Sequence, residues 1–205
     1  MKMTATQMLP VDYKLIHTID IRQTKGLVIM NILAVIILIA SWIGFTRLAA
    51  AIRPELQTTI FTFSIEKPIQ LLIDLANLVV VTVVMIVVHE AFHGHCFWLF
   101  TRSKPKFAFK FYYAYASAPD WYLPRWQYLI TGLAPLVGIT AICVGLMFIV
   151  PAWLMPSLLW MLVFNTSGAA GDLWMVWRLL RSPRGVLARD KGDVLEFFAP
   201  GNFKS

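Results

Sequence analysis

The chain contains four long apolar segments. Residues 1–26, 46–70, 101–128 and the tail after 180 are polar, a short uncharged turn at 151–156 divides the third apolar segment from the fourth, and the apolar segments are nearly free of charge. A helix needs about 20 mainly apolar residues to cross the roughly 30 Å hydrocarbon core of a bilayer. The pattern therefore predicts an all-α integral membrane protein with about four transmembrane helices, at residues 27–45, 71–100, 129–150 and 157–180.

The polar connection between the second and third predicted helices has a period of two. Aromatic residues occupy positions 107, 109, 111, 113 and 115, and most residues between them are Ala or Lys. Such alternation is typical of a β-strand with one aromatic face. We expect a short β-like loop here, which either rests at the membrane interface or acts as an edge strand for an extended peptide.

Composition supports a membrane protein. The chain is 59% hydrophobic and 14% charged, whereas soluble domains average about 45–50% and about 25%. The net charge of +7 comes from Lys and Arg at the edges of the apolar segments, where they set topology and attract lipid headgroups. No soluble basic face remains for nucleic acid. We expect one membrane-embedded domain, residues 1–205, in the cell membrane, with both termini in the cytoplasm by the positive-inside rule.

The second apolar segment carries the motif His89-Glu90-Ala91-Phe92-His93. Residues four apart on a helix share a face, so both imidazoles can bind one metal ion. Glu90 is then placed to act as general base on a water molecule. Ionisable groups within a membrane helix are costly and usually functional. The motif therefore predicts a zinc site in this helix.

A catalytic zinc site needs a third protein ligand and leaves the fourth position to water. Asp172, in the fourth predicted helix, is the best candidate, because Asp172 and His93 each lie about 9–13 Å of helix from the basic residues that end their helices. Asp74 lies too far along its helix, and His95 points to a different side of it from His93. A salt bridge to Arg178 at the helix end, or a hydrogen bond between helices, is the alternative role for Asp172.

Asn165 is the other polar residue of interest in the fourth predicted helix. It lies seven residues before Asp172, two turns away on the same face. It is a candidate to bind substrate or to stabilise an oxyanion. Packing between helices is the alternative role for this side chain.

Along the chain, the motif is followed by the β-like loop, a helix that contains proline, and Asn165 with Asp172. This order resembles the architecture of site-2 intramembrane proteases. The residues resemble more closely a family of small bacterial membrane proteins classed as putative zincin peptidases. The resemblance covers roughly residues 70–200 and rests on four features of the sequence: His89–His93, Lys104-Pro105-Lys106, Ala134-Pro135, and Asn165 with Gly171-Asp172.

The resemblance implies roles for individual residues. His89, His93 and Asp172 would hold zinc, and Glu90 would activate water. The chain departs from the usual site-2 pattern because glycine precedes Asp172 and does not follow it, and because no proline lies between Asn165 and Asp172.

These observations predict a zinc-dependent intramembrane endopeptidase that hydrolyses a peptide bond in or near the membrane. Its partners would be the bilayer and a membrane-associated protein or peptide substrate. Two other functions fit the same residues: a non-catalytic metal-binding sensor or scaffold, and a transport subunit in which His89, Glu90 and Asp172 relay ions or protons. The substrate, the oligomeric state and the choice between zinc and another divalent metal ion stay open.

Overall fold

A computed structural model describes residues 3–20, 22–56, 67–110 and 113–201 of the protein. Within these ranges the chain is mostly helical, and three helices are long and apolar enough to cross a membrane, which indicates a membrane protein. They are α1 (Thr24–Ile52), α2 (Pro68–Thr101) and α3 (Arg125–Met147). Each begins before its predicted start; α1 runs past its predicted end, and α3 stops three residues short of its own.

The fourth predicted helix is two helices, so the prediction of one continuous span at 157–180 was wrong. α4 (Met155–Gly168) and α5 (Ala170–Leu180) are separated at Ala169. Just before the break, the hydroxyls of Thr166 and Ser167 donate to the main-chain carbonyls of Leu162 and Phe164. Such bonds often bend helices, and the glycines on either side of Ala169–Ala170 lower the helix propensity further.

The prediction of an all-α fold was also wrong, because strands from three distant parts of the chain form a sheet. The strands are β1 (Tyr13–Asp20), β4 (Leu123–Pro124), β5 (Leu187–Asp190) and β6 (Val194–Pro200), and their order is β1-β6-β5-β4. All pairs are antiparallel. The segments before α1, before α3 and after α5 therefore meet in one sheet.

The connection between α2 and α3 forms a hairpin. β2 (Lys106–Lys110) pairs antiparallel with β3 (Tyr113–Ser117), from Lys106 opposite Ser117 to Lys110 opposite Tyr113. The sequence pattern had suggested a single strand here. Phe111, one member of the expected aromatic face, lies outside the described residues, as do residues 57–66 of the first polar loop.

Contacts divide the chain into two compact units. The first comprises the described residues of Met1–Asn31, Glu90–Pro135 and Gly171–Ser205. Its core lies under the four-stranded sheet, where Phe97 of α2 and Leu179 of α5 pack with Leu123, Leu195 and Phe197 of the strands. All five side chains are fully or almost fully buried. This core anchors the ends of the helices to the sheet.

The second unit comprises the described residues of Ile32–His89 and Leu136–Ala170. Trp160 of α4 packs against Trp42 of α1, with ring centroids 4.9 Å apart. The side chains of Asn77 in α2 and Ser157 in α4 are hydrogen-bonded at 3.1 Å. Leu159 and other apolar residues of α4 are fully buried. The prediction that residues 1–205 form one domain stays a prediction.

Candidate metal centre

The two motif histidines lie on one uninterrupted helix, α2. His89 and His93 are separated by about one turn and therefore share a face. Both are buried, with 7% and 9% of their surface exposed. By contrast, His95 is exposed and packs against Trp98 at 5.8 Å between ring centroids. Helix geometry thus separates the motif pair from the histidine that follows it.

Each motif histidine is held through its Nδ1 atom. His89 Nδ1 lies 3.0 Å from Oδ1 of Asn165, and His93 Nδ1 lies 2.9 Å from the main-chain oxygen of Thr131. Carbonyl oxygens only accept hydrogen bonds, so each Nδ1 carries the proton. An imidazole that carries its proton on Nδ1 can coordinate a metal ion through Nε2, which is the usual arrangement around metal-binding histidines.

Asp172 is the third potential ligand. It lies in the first turn of α5, and its Oδ1 is 3.4 Å from Nε2 of His93. One ligand atom from each of His89, His93 and Asp172 falls within 4.8 Å of the others. Two imidazole nitrogens and one carboxylate oxygen match a catalytic zinc site with an open fourth position. The residues therefore fit a zinc ion on both geometry and donor chemistry.

The glutamate of the motif is oriented by the hairpin. Glu90 Oε2 accepts a hydrogen bond of 2.7 Å from the main-chain N–H of Ala116 in β3. Because Glu90 follows His89 directly, this bond brings β3 alongside the histidine-bearing part of α2. The sequence pattern suggested a strand in this region, but a main-chain donor has no side-chain signature that could have identified it.

Close packing at a glycine brings the hairpin against α2. A Cβ atom added to Gly94, the residue after His93, would lie 2.3 Å from the ring of Phe107 in β2. At the other end of the hairpin, Asp193 accepts hydrogen bonds from Lys110 Nζ at 2.5 Å and from the Tyr113 hydroxyl at 2.6 Å. The hairpin is thus attached at both ends.

A further carboxylate, Asp190, interacts electrostatically with His93 and Asp172. Its Oδ2 accepts from the Tyr128 hydroxyl at 2.6 Å, and its Oδ1 accepts from the Gly192 N–H at 2.7 Å. Burial raises the pKa of the Asp190 carboxyl to about 6, against the lowering effect of these two donors. Sequence reasoning missed this residue, because it lies in the polar tail rather than in an apolar segment.

Comparison with known families is consistent with this geometry. The model of the family described as "Putative zincin peptidase" matches residues 82–187, which is more than half of the chain, and the protein belongs to this family. Membership indicates a metallopeptidase, and the zincin class implies zinc as the metal. No curated protein and no solved structure matches the chain.

Proposed function

We propose that this protein is a zinc-dependent intramembrane endopeptidase of the site-2-protease type. One observation carries the proposal: both motif histidines are anchored through Nδ1, and their ligand atoms cluster with that of Asp172. Histidines with a purely structural role in a helical core would not require their ligand atoms to lie close to one another and to a carboxylate. We further propose that Asn165, which is fully buried, orients His89 instead of contacting substrate.

The chemistry divides between the metal and Glu90. A bound zinc ion would polarise the scissile carbonyl and lower the pKa of water. The Glu90 carboxylate, oriented by the Ala116 N–H, takes a proton from the attacking water. It then delivers that proton to the nitrogen of the leaving amine. Asn165 and the Thr131 carbonyl keep the two imidazoles in the tautomer that binds metal.

The outer edge of β3 is suited to bind an extended peptide. Ala116 directs its N–H to Glu90 and therefore away from β2. In an antiparallel pair, alternate residues face the same edge, so Ala114 presents its N–H and C=O there as well. Among the described residues, β3 pairs only with β2. A substrate strand added at this edge would pass beside Glu90, which requires a protein segment that is already unwound.

We also propose four membrane crossings. Strand β1 precedes α1 and strand β6 follows α5, and the two strands pair. Strand β4, before α3, joins the same sheet. A sheet lies on one side of a membrane, so the chain must return after α3, and α4 with α5 would form a broken fourth crossing. The membrane would be the plasma membrane. The positive-inside rule then predicts that both termini lie in the cytoplasm.

Metal content and a substitution of Glu90 test the proposal. Detergent-purified wild-type protein should contain close to one zinc per chain, and the His93→Ala and Asp172→Ala variants should lose most of it. His95→Ala is the matched control, because His95 is an exposed histidine on the same helix, and it should keep its zinc. Glu90→Gln should retain zinc and reduce peptide hydrolysis about 10²–10⁴-fold, the usual contribution of a general base.

Other outcomes would favour the alternative functions. Zinc bound in the wild type with cellular function intact in Glu90→Gln would indicate a metal-binding sensor or scaffold. Absence of zinc from wild-type protein, with function insensitive to chelators, would indicate an ion or proton relay. Zinc lost from His93→Ala but retained by Asp172→Ala would show that another residue is the third ligand.

A further inference from the structure

A groove of about 670 Å³ lies at the beginning of α3. Its walls include Arg125, Trp126 and Leu129 from the first turns of this helix, and Arg184 from the loop after α5. Met3, near the N-terminus, also contributes. None of the lining residues that the structure describes is acidic. The groove is thus positively charged on one side and apolar on another.

The two arginines differ in how they are held. Arg125 donates to the main-chain oxygens of Ser182 and Leu180 at 3.1 and 2.8 Å, so its guanidinium is fixed beside the end of α5. Arg184 is exposed and forms no hydrogen bond or ion pair with any residue that the structure describes. The guanidinium of Arg125 is therefore preorganised, and the guanidinium of Arg184 can move to bind an anion.

The apolar wall follows α3 away from these charges. Trp126 is 43% exposed; its Nε1 donates to the Met3 carbonyl at 3.3 Å, and its ring makes an edge contact with Phe100 at 5.5 Å. Leu129 lies about one turn further along the helix. Because α3 begins at Arg125 and is apolar enough to cross a membrane, its first turn would lie where headgroups meet hydrocarbon when the helix spans a bilayer. Tryptophan is enriched at that level.

We propose that this groove binds one anionic phospholipid. The lipid phosphate lies between Arg125 and Arg184, and the first carbons of an acyl chain lie along Trp126 and Leu129. Guanidinium groups bind phosphate oxygens in a bidentate manner, and an acyl chain accounts for the apolar wall, which a free phosphate would leave in contact with water. The site is independent of the zinc site, so neither proposal depends on the other.

Native mass spectrometry of the delipidated full-length protein tests the groove. Phosphatidylglycerol and phosphatidylcholine with identical acyl chains would be titrated, and the dissociation constant of the first bound lipid measured. Phosphatidylglycerol should bind more tightly, and Arg184→Gln should weaken it about fivefold, the effect expected for one arginine near an anionic surface. Arg181→Gln is the matched control, because Arg181 is also exposed but stacks over Trp177; it should change the constant less than about twofold.

Three results would overturn the proposal. Equal weakening by Arg181→Gln and Arg184→Gln would show a diffuse electrostatic effect with no defined site. Equal affinity for the two lipids would remove the role of charge. If glycerol 3-phosphate displaced the bound lipid as effectively as phosphatidylglycerol does, the groove would be a site for a free phosphate. Equal melting temperatures of the lipid-free proteins should confirm that the Arg184→Gln variant is folded, because the arginine forms no hydrogen bond or ion pair with the described residues that the substitution would remove.

Discussion

The main-chain oxygen of Thr131 accepts the Nδ1 proton of His93 at 2.9 Å. In a regular helix, that oxygen would accept from the N–H four residues later. Position 135 is a proline inside α3, and proline has no N–H to donate. Pro135 therefore releases the Thr131 carbonyl from the helix, and the released carbonyl orients a metal-binding histidine.

Replacement of Pro135 by alanine should therefore weaken metal binding without unfolding the helix. The new N–H at position 135 would compete with His93 for the Thr131 carbonyl. We expect zinc affinity to fall about 10–100-fold, as for other groups that orient metal ligands, measured by competition with a chelator. Thr131→Ala is the control, because it keeps the carbonyl and should bind zinc nearly as well as wild type. Equal losses in both variants would contradict this role for Pro135.

Asn165 should act through its side-chain oxygen. Asn165→Leu removes the acceptor of the His89 Nδ1 proton and should lower zinc affinity about 10–100-fold. Asn165→Asp keeps an acceptor at the same place and should bind zinc at least as well as wild type. If instead both variants bind zinc normally but lose hydrolysis, Asn165 acts on substrate, as its sequence position first suggested.

Contact between Gly94 and Phe107 predicts a compensating pair of substitutions. Gly94→Ala would place a methyl group against the Phe107 ring, and such overpacking costs about 1–3 kcal/mol. Displacement of the hairpin should also weaken the Ala116–Glu90 hydrogen bond and slow hydrolysis. Phe107→Ala in the same chain should restore both stability and rate, because the ring is the obstacle. Thermal unfolding and cleavage assays of the wild type, the two single variants and the double variant measure the coupling between the two positions. Additive effects of the two substitutions would argue against the contact.

The far end of the hairpin should loosen in acid. Burial opposes ionisation of Asp193, but hydrogen bonds from Lys110 and Tyr113 outweigh it and lower the pKa of this carboxyl below its ordinary value of 3.8. A carboxyl with a lowered folded-state pKa stabilises the fold fully above its unfolded-state pKa, and this contribution is lost as the pH falls through the folded value. The attachment should therefore hold at neutral pH and weaken progressively below about pH 4.

Phe109 is an exposed residue of β2. Electron paramagnetic resonance of a nitroxide attached to the Phe109→Cys variant should measure the loosening of the hairpin as a gain in label mobility. Asp193→Asn should leave the label mobile at every pH, because the amide cannot form the ion pair with Lys110. Mobility independent of pH in the parent protein would show that the ion pair does not hold the hairpin.

Most residues of the candidate site could be proposed from the sequence, because their signals are local. His89 and His93 are four residues apart on one helix, and helix geometry alone gives them a common face. Of the four helices predicted from the lengths of the apolar segments, the structure has three as single long helices, with errors of one to seven residues at their ends. Asp172 was predicted from the length of helix between it and the basic residues at the helix end. In the structure, its carboxylate lies close to the two histidines.

The sequence by itself thus determined the long apolar helices, the motif and the candidates for the zinc ligands that we propose. Only the tertiary structure revealed the four-stranded sheet, the break at Ala169, and the main-chain groups of Thr131 and Ala116 that orient His93 and Glu90. The physical reason is that every residue carries the same carbonyl and nearly every residue the same N–H. Where such a group points, and which distant strand it meets, depends on long-range packing rather than on residue type.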